Sequence, residues 1–199
     1  MTRLLFFLGL LTVLTASANA QTLQNPSFED ADTDGHSAAN WRQWGDKLGR
    51  ETAWAPTHSG TAMMGYHHWE VTSPENSGFY QDVPGVKAGQ SFTFSIWVSS
   101  DKVTTGNTAS QVELRLEGTL NGSQVTLASV STDVKDLAAN EWHQLNVTGT
   151  TTTDNLRVLV IVTPTGEVPR RGALKFDDAT LVPAQAATSA TPATNAPPH

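Results

Sequence analysis

The sequence predicts an all-β chain, a jelly-roll sandwich of two antiparallel sheets. Three observations predict it: helical periodicity is nearly absent, short runs alternate apolar with polar residues, and turn signals separate those runs. The clearest run is Ser91-Phe92-Thr93-Phe94-Ser95-Ile96-Trp97-Val98. Side chains of an extended strand alternate faces, so Phe92, Phe94, Ile96 and Val98 face the core while Ser91, Thr93, Ser95 and Trp97 face away. Over 111–117, Val112, Leu114 and Leu116 point inward, and Gln111, Glu113, Arg115 and Glu117 outward. Leu145 and Val147 alternate with Asn146 and Thr148. Residues 156–162 are apolar on both parities, the mark of a central strand covered on both sides. Ala62-Met63-Met64 reads as a strand, and Leu174 and Phe176 begin the last one. Turns fall at Pro84-Gly85, Ala88-Gly89, Asn121-Gly122 and Pro164-Thr165-Gly166; Asn-Gly between apolar runs is a strong hairpin signal.

The ends read differently from the middle. Arg3, an apolar run over 4–14 and Ala18-Asn19-Ala20 have the form of a secretory leader, residues 1–20, cut before Gln21. That run is too short for a membrane span. The expectation is export to the periplasm or the medium. Residues 21–183 suffice for one domain. Residues 184–199, built of Ala, Thr, Ser, Pro, Gln, Asn and one His, cannot bury a core and read as a disordered tail.

Composition excludes several classes. With 19 acidic against 12 basic residues and no basic stripe, nucleic acid and anionic membranes are poor partners. The chain has no cysteine, hence no disulfide and no thiol nucleophile. It has no Gly-x-Ser-x-Gly elbow, no His-Glu-x-x-His and no phosphate loop. His67 and His68 would point to opposite faces of a strand, which disfavours a shared zinc. Six Trp suit neutral sugar rings, whose axial hydrogens form apolar patches. A monomer is expected.

Two acidic clusters bracket the domain: Asn25-Pro26-Ser27-Phe28-Glu29-Asp30 and Phe176-Asp177-Asp178. Carboxylates at both ends of a sandwich, Glu29 and Asp177, can be joined through one hard cation, and calcium accepts such oxygens in flexible geometry. On a regular strand Asp178 points away from Asp177. Asp30-Ala31-Asp32-Thr33-Asp34-Gly35 matches the first half of a calcium loop, with Trp41 where the bidentate Glu belongs. Asp30, Asp32 and Asp34 are thus ligands of a second calcium or a solvated turn.

For ligand contact, Trp97 lies on the polar side of its strand. Arg115 and Glu113 face outward on the next run, and the two line one surface if those strands are neighbours. Gln81, in Gly78-Phe79-Tyr80-Gln81-Asp82-Val83, is a further polar candidate. Tyr66-His67-His68-Trp69 is the densest aromatic cluster and precedes a polar loop, which makes Tyr66 and Trp69 platform candidates. Trp41 and Trp44 read as structural; Trp54 is ambiguous and Trp142 packs at a strand entrance.

The order of Asn25 to Glu29, His58-Ser59-Gly60, Gly78 to Gln81, Ala88-Gly89-Gln90-Ser91-Phe92 and Phe176-Asp177-Asp178 resembles the secreted carbohydrate-binding modules of the four/nine/sixteen/twenty-two grouping, galactose-binding-like jelly rolls. That resemblance implies a structural calcium held by Glu29 and Asp177 with carbonyls near Ser27 and within His58-Ser59-Gly60-Thr61. It also implies a non-catalytic polysaccharide-binding role, with ligand on the concave sheet or at edge loops. The alternatives are an adhesion or matrix module that binds no sugar, and a small jelly-roll polysaccharide lyase using Tyr80, Gln81, Arg115 and His143.

Overall fold

Ten strands form in the computed structural model, which describes residues 23–45, 47–67, 75–101, 110–165 and 173–184, and alternation of apolar and polar residues marks the clearest of them, such as β6. They are β1 (Arg42–Trp44), β2 (Leu48–Glu51), β3 (Met63–His67), β4 (Ser77–Val83), β5 (Ser91–Ser100), β6 (Ser110–Leu120), β7 (Ser123–Asp133), β8 (His143–Thr150), β9 (Leu156–Pro164) and β10 (Ala173–Pro183). Among the described residues one 3-10 turn, Val134–Asp136, follows β7. The leader, the tail from residue 185 onward, His68 and Trp69 lie outside the described residues.

Two five-stranded sheets result, ordered β1-β4-β9-β6-β7 and β2-β3-β10-β5-β8, every pairing antiparallel. The inner faces meet in one core. Phe79, Val112, Leu114, Val158, Val160 and Val162 come from the first sheet, and Met64, Tyr66, Phe94, Ile96, Val98, Leu174 and Phe176 from the second. β9 is central, and its outward Leu159 and Ile161 are also buried, which accounts for its apolar character on both parities. Asn121 and Gly122, both at positive φ, close the β6–β7 hairpin in the expected Asn-Gly turn.

β5 and β6 are consecutive yet belong to opposite sheets. The expectation that Trp97 and Arg115 line one surface is therefore corrected: they lie on opposite outer faces. Alternation fixes which side of a strand faces the core, but not which sheet receives the strand.

The segment before β1 is folded by its own side chains. Asn25 Nδ2 donates to the carbonyls of Asp30 (2.8 Å) and Ala39 (3.0 Å), and its Oδ1 accepts from Asp30 N–H (3.0 Å). Phe28 sits at φ 58°, a conformation a bulky residue holds only when its surroundings impose it. Its ring is fully buried between Trp41 (5.3 Å) and Phe79 (5.6 Å), and Arg50 Nε donates to its carbonyl at 2.7 Å. This twist delivers Glu29 toward the loop before β3.

Candidate functional site

The outer face of the first sheet carries large side chains laid across small ones. Strand register gives two rows, Trp44–Gly78–Ile161–Glu113 and Arg42–Tyr80–Leu159–Arg115. The Trp44 indole lies over Gly78; a Cβ there would collide with that ring and with the Val160 carbonyl, so only glycine admits the approach. Trp44 Nε1 donates to Asn76 Oδ1 at 3.0 Å, and its ring stands 6.3 Å from that of Tyr80. Trp44 and Tyr80 are both half-buried.

Behind these rings runs a chain of paired charges. Arg157 packs over the Tyr80 ring, 4.1 Å from its centroid, and grips Asp82 through Nε (2.7 Å) and Nη2 (3.2 Å). Arg115 holds both oxygens of Glu113 (2.8 and 2.9 Å) and one of Glu117 (3.2 Å). The hydrogen bonds to Glu113, more than burial opposes, push its pKa further up, so the charge is permanent. Three of its five N–H groups are used, which leaves two donors for a ligand. At the β1/β4 margin, Gln24, Asn40, Arg42, Tyr80 and Asp82 border an open groove of about 450 Å³.

The sequence-predicted contact residues scatter. Arg115 is on this face. Gln81 is not: it shares parity with Phe79 and Val83, is 6% exposed, and clamps the chain before β1 by accepting from Gln24 N–H (2.8 Å) and donating to the Gln24 and Asn40 carbonyls. Tyr66, 1% exposed, is a core residue and presents no platform. Trp97 is on the second sheet, half-buried, with one indole face covered by the stacked His58 ring at 4.3 Å; Trp142 meets that imidazole edge-on. Trp69 lies outside the described residues. Tyr80 and Arg115 share a face, but Gln81 is buried and His143 is on the other sheet with Nε2 on the Ala138 carbonyl (3.0 Å), so the four residues of the lyase alternative do not assemble. Trp44, expected to be structural, and Tyr80 are the rings that the expected contact set missed. β1 is only three residues long and shows no alternation; the available signal was Gly78, a residue without a side chain at an outward position of β4.

The acidic clusters meet at one loop. Glu29 Oε1 accepts from the N–H groups of Thr61 (2.9 Å) and Ala62 (3.0 Å), and Oε2 from the Thr61 hydroxyl (2.9 Å). Gly60, at φ 55°, passes so close to Glu29 that a side chain would strike the carboxylate. Asp177 Oδ2 accepts from His58 N–H (2.9 Å) and Ser59 N–H (3.0 Å), and Oδ1 from Asp178 N–H (2.8 Å). The expectation that Asp178 points away is corrected. A bulge follows Asp177, Asp178 adopts φ 48°, and its carboxylate turns onto the same loop, at His58 Nδ1 (2.5 Å) and Ser59 Oγ (2.7 Å).

The two principal carboxylates differ electrostatically. Burial opposes ionisation of Glu29, but the Ala62 and Thr61 hydrogen bonds and Arg50 together hold its pKa below the usual value. Asp177 is fully buried; burial, aided by the neighbouring Asp178 charge, outweighs its backbone hydrogen bonds and raises its pKa to about 6. Lys175, two residues away, is committed to the Ala55 carbonyl and Asp101.

Ser27 lies in the Asn25–Phe28 turn and Thr61 in the loop; what this structure records of Thr61 there is its N–H and hydroxyl donating to Glu29. Asp30, Asp32 and Asp34 belong to a small hairpin closed by the Ala31–Ala38 bridge. Asp34 accepts from His36 N–H, Ser37 N–H and Ser37 Oγ, and Asp32 from Thr33 N–H. These bonds, led by those from Ser37, lower the Asp34 pKa. Among the described residues no group of three or more His, Asp or Glu side chains is arranged to hold a metal.

No family model and no curated protein matches the chain. Solved structures do. TmCBM61 in complex with β-1,4-galactotriose aligns with TM-score 0.55 at 17% identity, over 84% of this chain and all of that one. The CBM22-1 xylan-binding domain of Paenibacillus barcinonensis Xyn10C aligns with TM-score 0.55 at 16% identity, over 86% and all. A cyclase from Fischerella sp. TAU aligns with TM-score 0.58 at 15% identity, over 85% and 98%. At these identities the likeness is one of fold, and that fold hosts both binding and chemistry. The chain has the jelly-roll architecture of carbohydrate-binding modules.

Proposed function

We propose that this chain is a secreted, non-catalytic carbohydrate-binding module, stabilised by calcium, whose saccharide lies across the outer face of the β1-β4-β9-β6-β7 sheet. The observation that carries this reading is the Trp44 indole laid on Gly78 beside Tyr80, with Arg115 and Glu113 in the same rows. The rings offer apolar area to sugar faces. The paired guanidinium and carboxylate groups offer fixed donors and acceptors to hydroxyls at little cost in side-chain ordering, because they already hold one another. Their mutual neutralisation suits an uncharged glycan. The solved likenesses that carry galactotriose or are named xylan-binding support the ligand class.

What supports calcium at the Glu29/Asp177 loop is one observation: the fully buried Asp177 carboxylate lies beside the Asp178 charge, and Glu29 reaches the same loop two residues further along. Glu29 and Asp177 would be its charged ligands, joined by oxygens of the adjoining turns, Ser27 and Thr61 among them, and by water. The bound ion supplies positive charge and fastens the first and last segments. Export rests on the leader over 1–20.

The test is a glycan array with the mature domain, followed by calorimetry on the best oligosaccharide with wild type and Trp44→Ala. Selective binding of neutral glycans, lost in Trp44→Ala at an unchanged melt, is the expected result. An array without any hit would overturn the reading in favour of a sugar-independent adhesion module.

A further inference from the structure

The opposite face of the sandwich has a chemistry that the groove does not use. Where β10, β5 and β8 run side by side, outward residues form rows by register: Thr180–Ser95–Asn146 and Val182–Thr93–Thr148, then Ser91–Thr150. Ser91 and Thr150 hydroxyls lie 2.7 Å apart, and those of Thr93 and Thr148 2.8 Å. Each pair uses one O–H internally and keeps one O–H and several lone pairs for the outside. The hydroxyls are thus held in place before any partner arrives. By strand geometry the patch measures roughly 10 by 14 Å.

No charged side chain belongs to these rows, in a chain with 31 acidic and basic residues. An ionic partner therefore finds nothing to pair with. Val182 is the single exposed large hydrophobic in them, so a second copy of the chain gains too little apolar area there for a stable interface. A partner that matches must be neutral, rich in both donors and acceptors, and flat over about 14 Å.

We infer that this patch is a second interaction surface, which lies against the face of an uncharged, insoluble polysaccharide whose chains pack side by side. It is separate from the groove: soluble chains would enter the groove, and packed chains too broad for it would meet the flat face.

The test uses the purified protein with two neutral solids, microcrystalline cellulose and chitin powder. Asn146→Lys/Thr148→Lys places two cations on exposed edge-strand positions and should leave the melt unchanged. Thr93→Val/Thr148→Val removes one hydroxyl pair and keeps its shape. Wild type should adsorb to at least one solid, the lysine pair should reduce the partition at least tenfold, and the valine pair less. A separate control keeps the surfaces apart: Trp44→Ala should adsorb as wild type while losing soluble oligosaccharide, so failure of the groove reading and failure of this one are distinguishable. Adsorption of wild type to neither solid, or equal adsorption of the lysine pair, would overturn the inference. So would a lysine pair whose only effect is to convert a dimer to a monomer in sedimentation.

Discussion

The two outer faces of the sandwich share a width of five strands and carry opposite surfaces. On the first, the Trp44 indole lies over Gly78, Arg157 lies over Tyr80 and Arg115 holds Glu113 and Glu117, so relief and charge are built in. On the second, one half is overlaid by the loop before β3, which lays Trp54 over Lys175 and His58 over Trp97; the other half bears only short uncharged groups. The difference teaches that a tryptophan on the outward parity of a strand is a platform only where nothing lies over it. Trp97 and Trp44 both point outward. The covered one reads as architecture, and the one set on glycine as contact.

The largest expected effect tests that contrast directly. Trp97→Ala should cost about 3 kcal/mol of stability, since a packed indole leaves a cavity beneath His58, while soluble oligosaccharide binding at a permissive temperature stays as in wild type. A normal melt with binding lost would reverse the assignment of the two faces. Next comes the cation. At a hundredfold excess over its Kd calcium should add about 2.7 kcal/mol, or roughly 5–10 °C in Tm for a domain of this size. A scan with and without chelator measures it, and coincident melts would remove calcium from the Glu29/Asp177 loop. Trp44→Ala should then weaken oligosaccharide binding by about 2 kcal/mol, roughly 30-fold, with the second face unaffected.

The smallest effect concerns the clamp carboxylates in chelator. Asp177 has its folded-state pKa raised to about 6, so the native state binds more protons than the unfolded chain; stability should fall as pH rises from about 4 through 6. Glu29 has its pKa lowered and acts in the opposite sense: what it contributes is present above the ordinary carboxylate pKa and is lost as pH falls through its folded-state value. Urea midpoints from pH 4 to 7.5 should decline across the Asp177 window and flatten in Asp177→Asn. An equal slope in that variant would assign the decline to other groups.

Much of this was legible in the sequence. Alternation placed β5, β6 and β8 and their core faces, a continuous apolar run placed β9, Asn121-Gly122 placed a hairpin, and β7 was hidden because its Ser, Thr and Val residues form a mostly solvated edge strand. Gln81 could have been read as inward, since it shares parity with Phe79 and Val83. Tyr66 could not have been read from alternation: consecutive β3 residues from Met63 to Tyr66 are buried, because the loop before that strand covers its outward side. The pairing of Glu29 with Asp177 was proposed from carboxylates at two chain ends. That both reach one loop, with Asp178 beside them, depends on a left-handed Phe28 and on a bulge, neither of which leaves a pattern in composition.

That bulge has a consequence well beyond the clamp. Two residues of β10 stand where β5 has one between Trp97 and Ser95. Without Asp178 the strand would alternate regularly, with Asp177 and Thr180 still outward and Ala179 and Leu181 still inward, but the Asp178 carboxylate would be lost from the loop of His58 and Ser59. The bulge is therefore the place where this strand can absorb a one-residue deletion: its grip on the loop before β3 would weaken, while the core and the surface from Ala179 onward would stay in register.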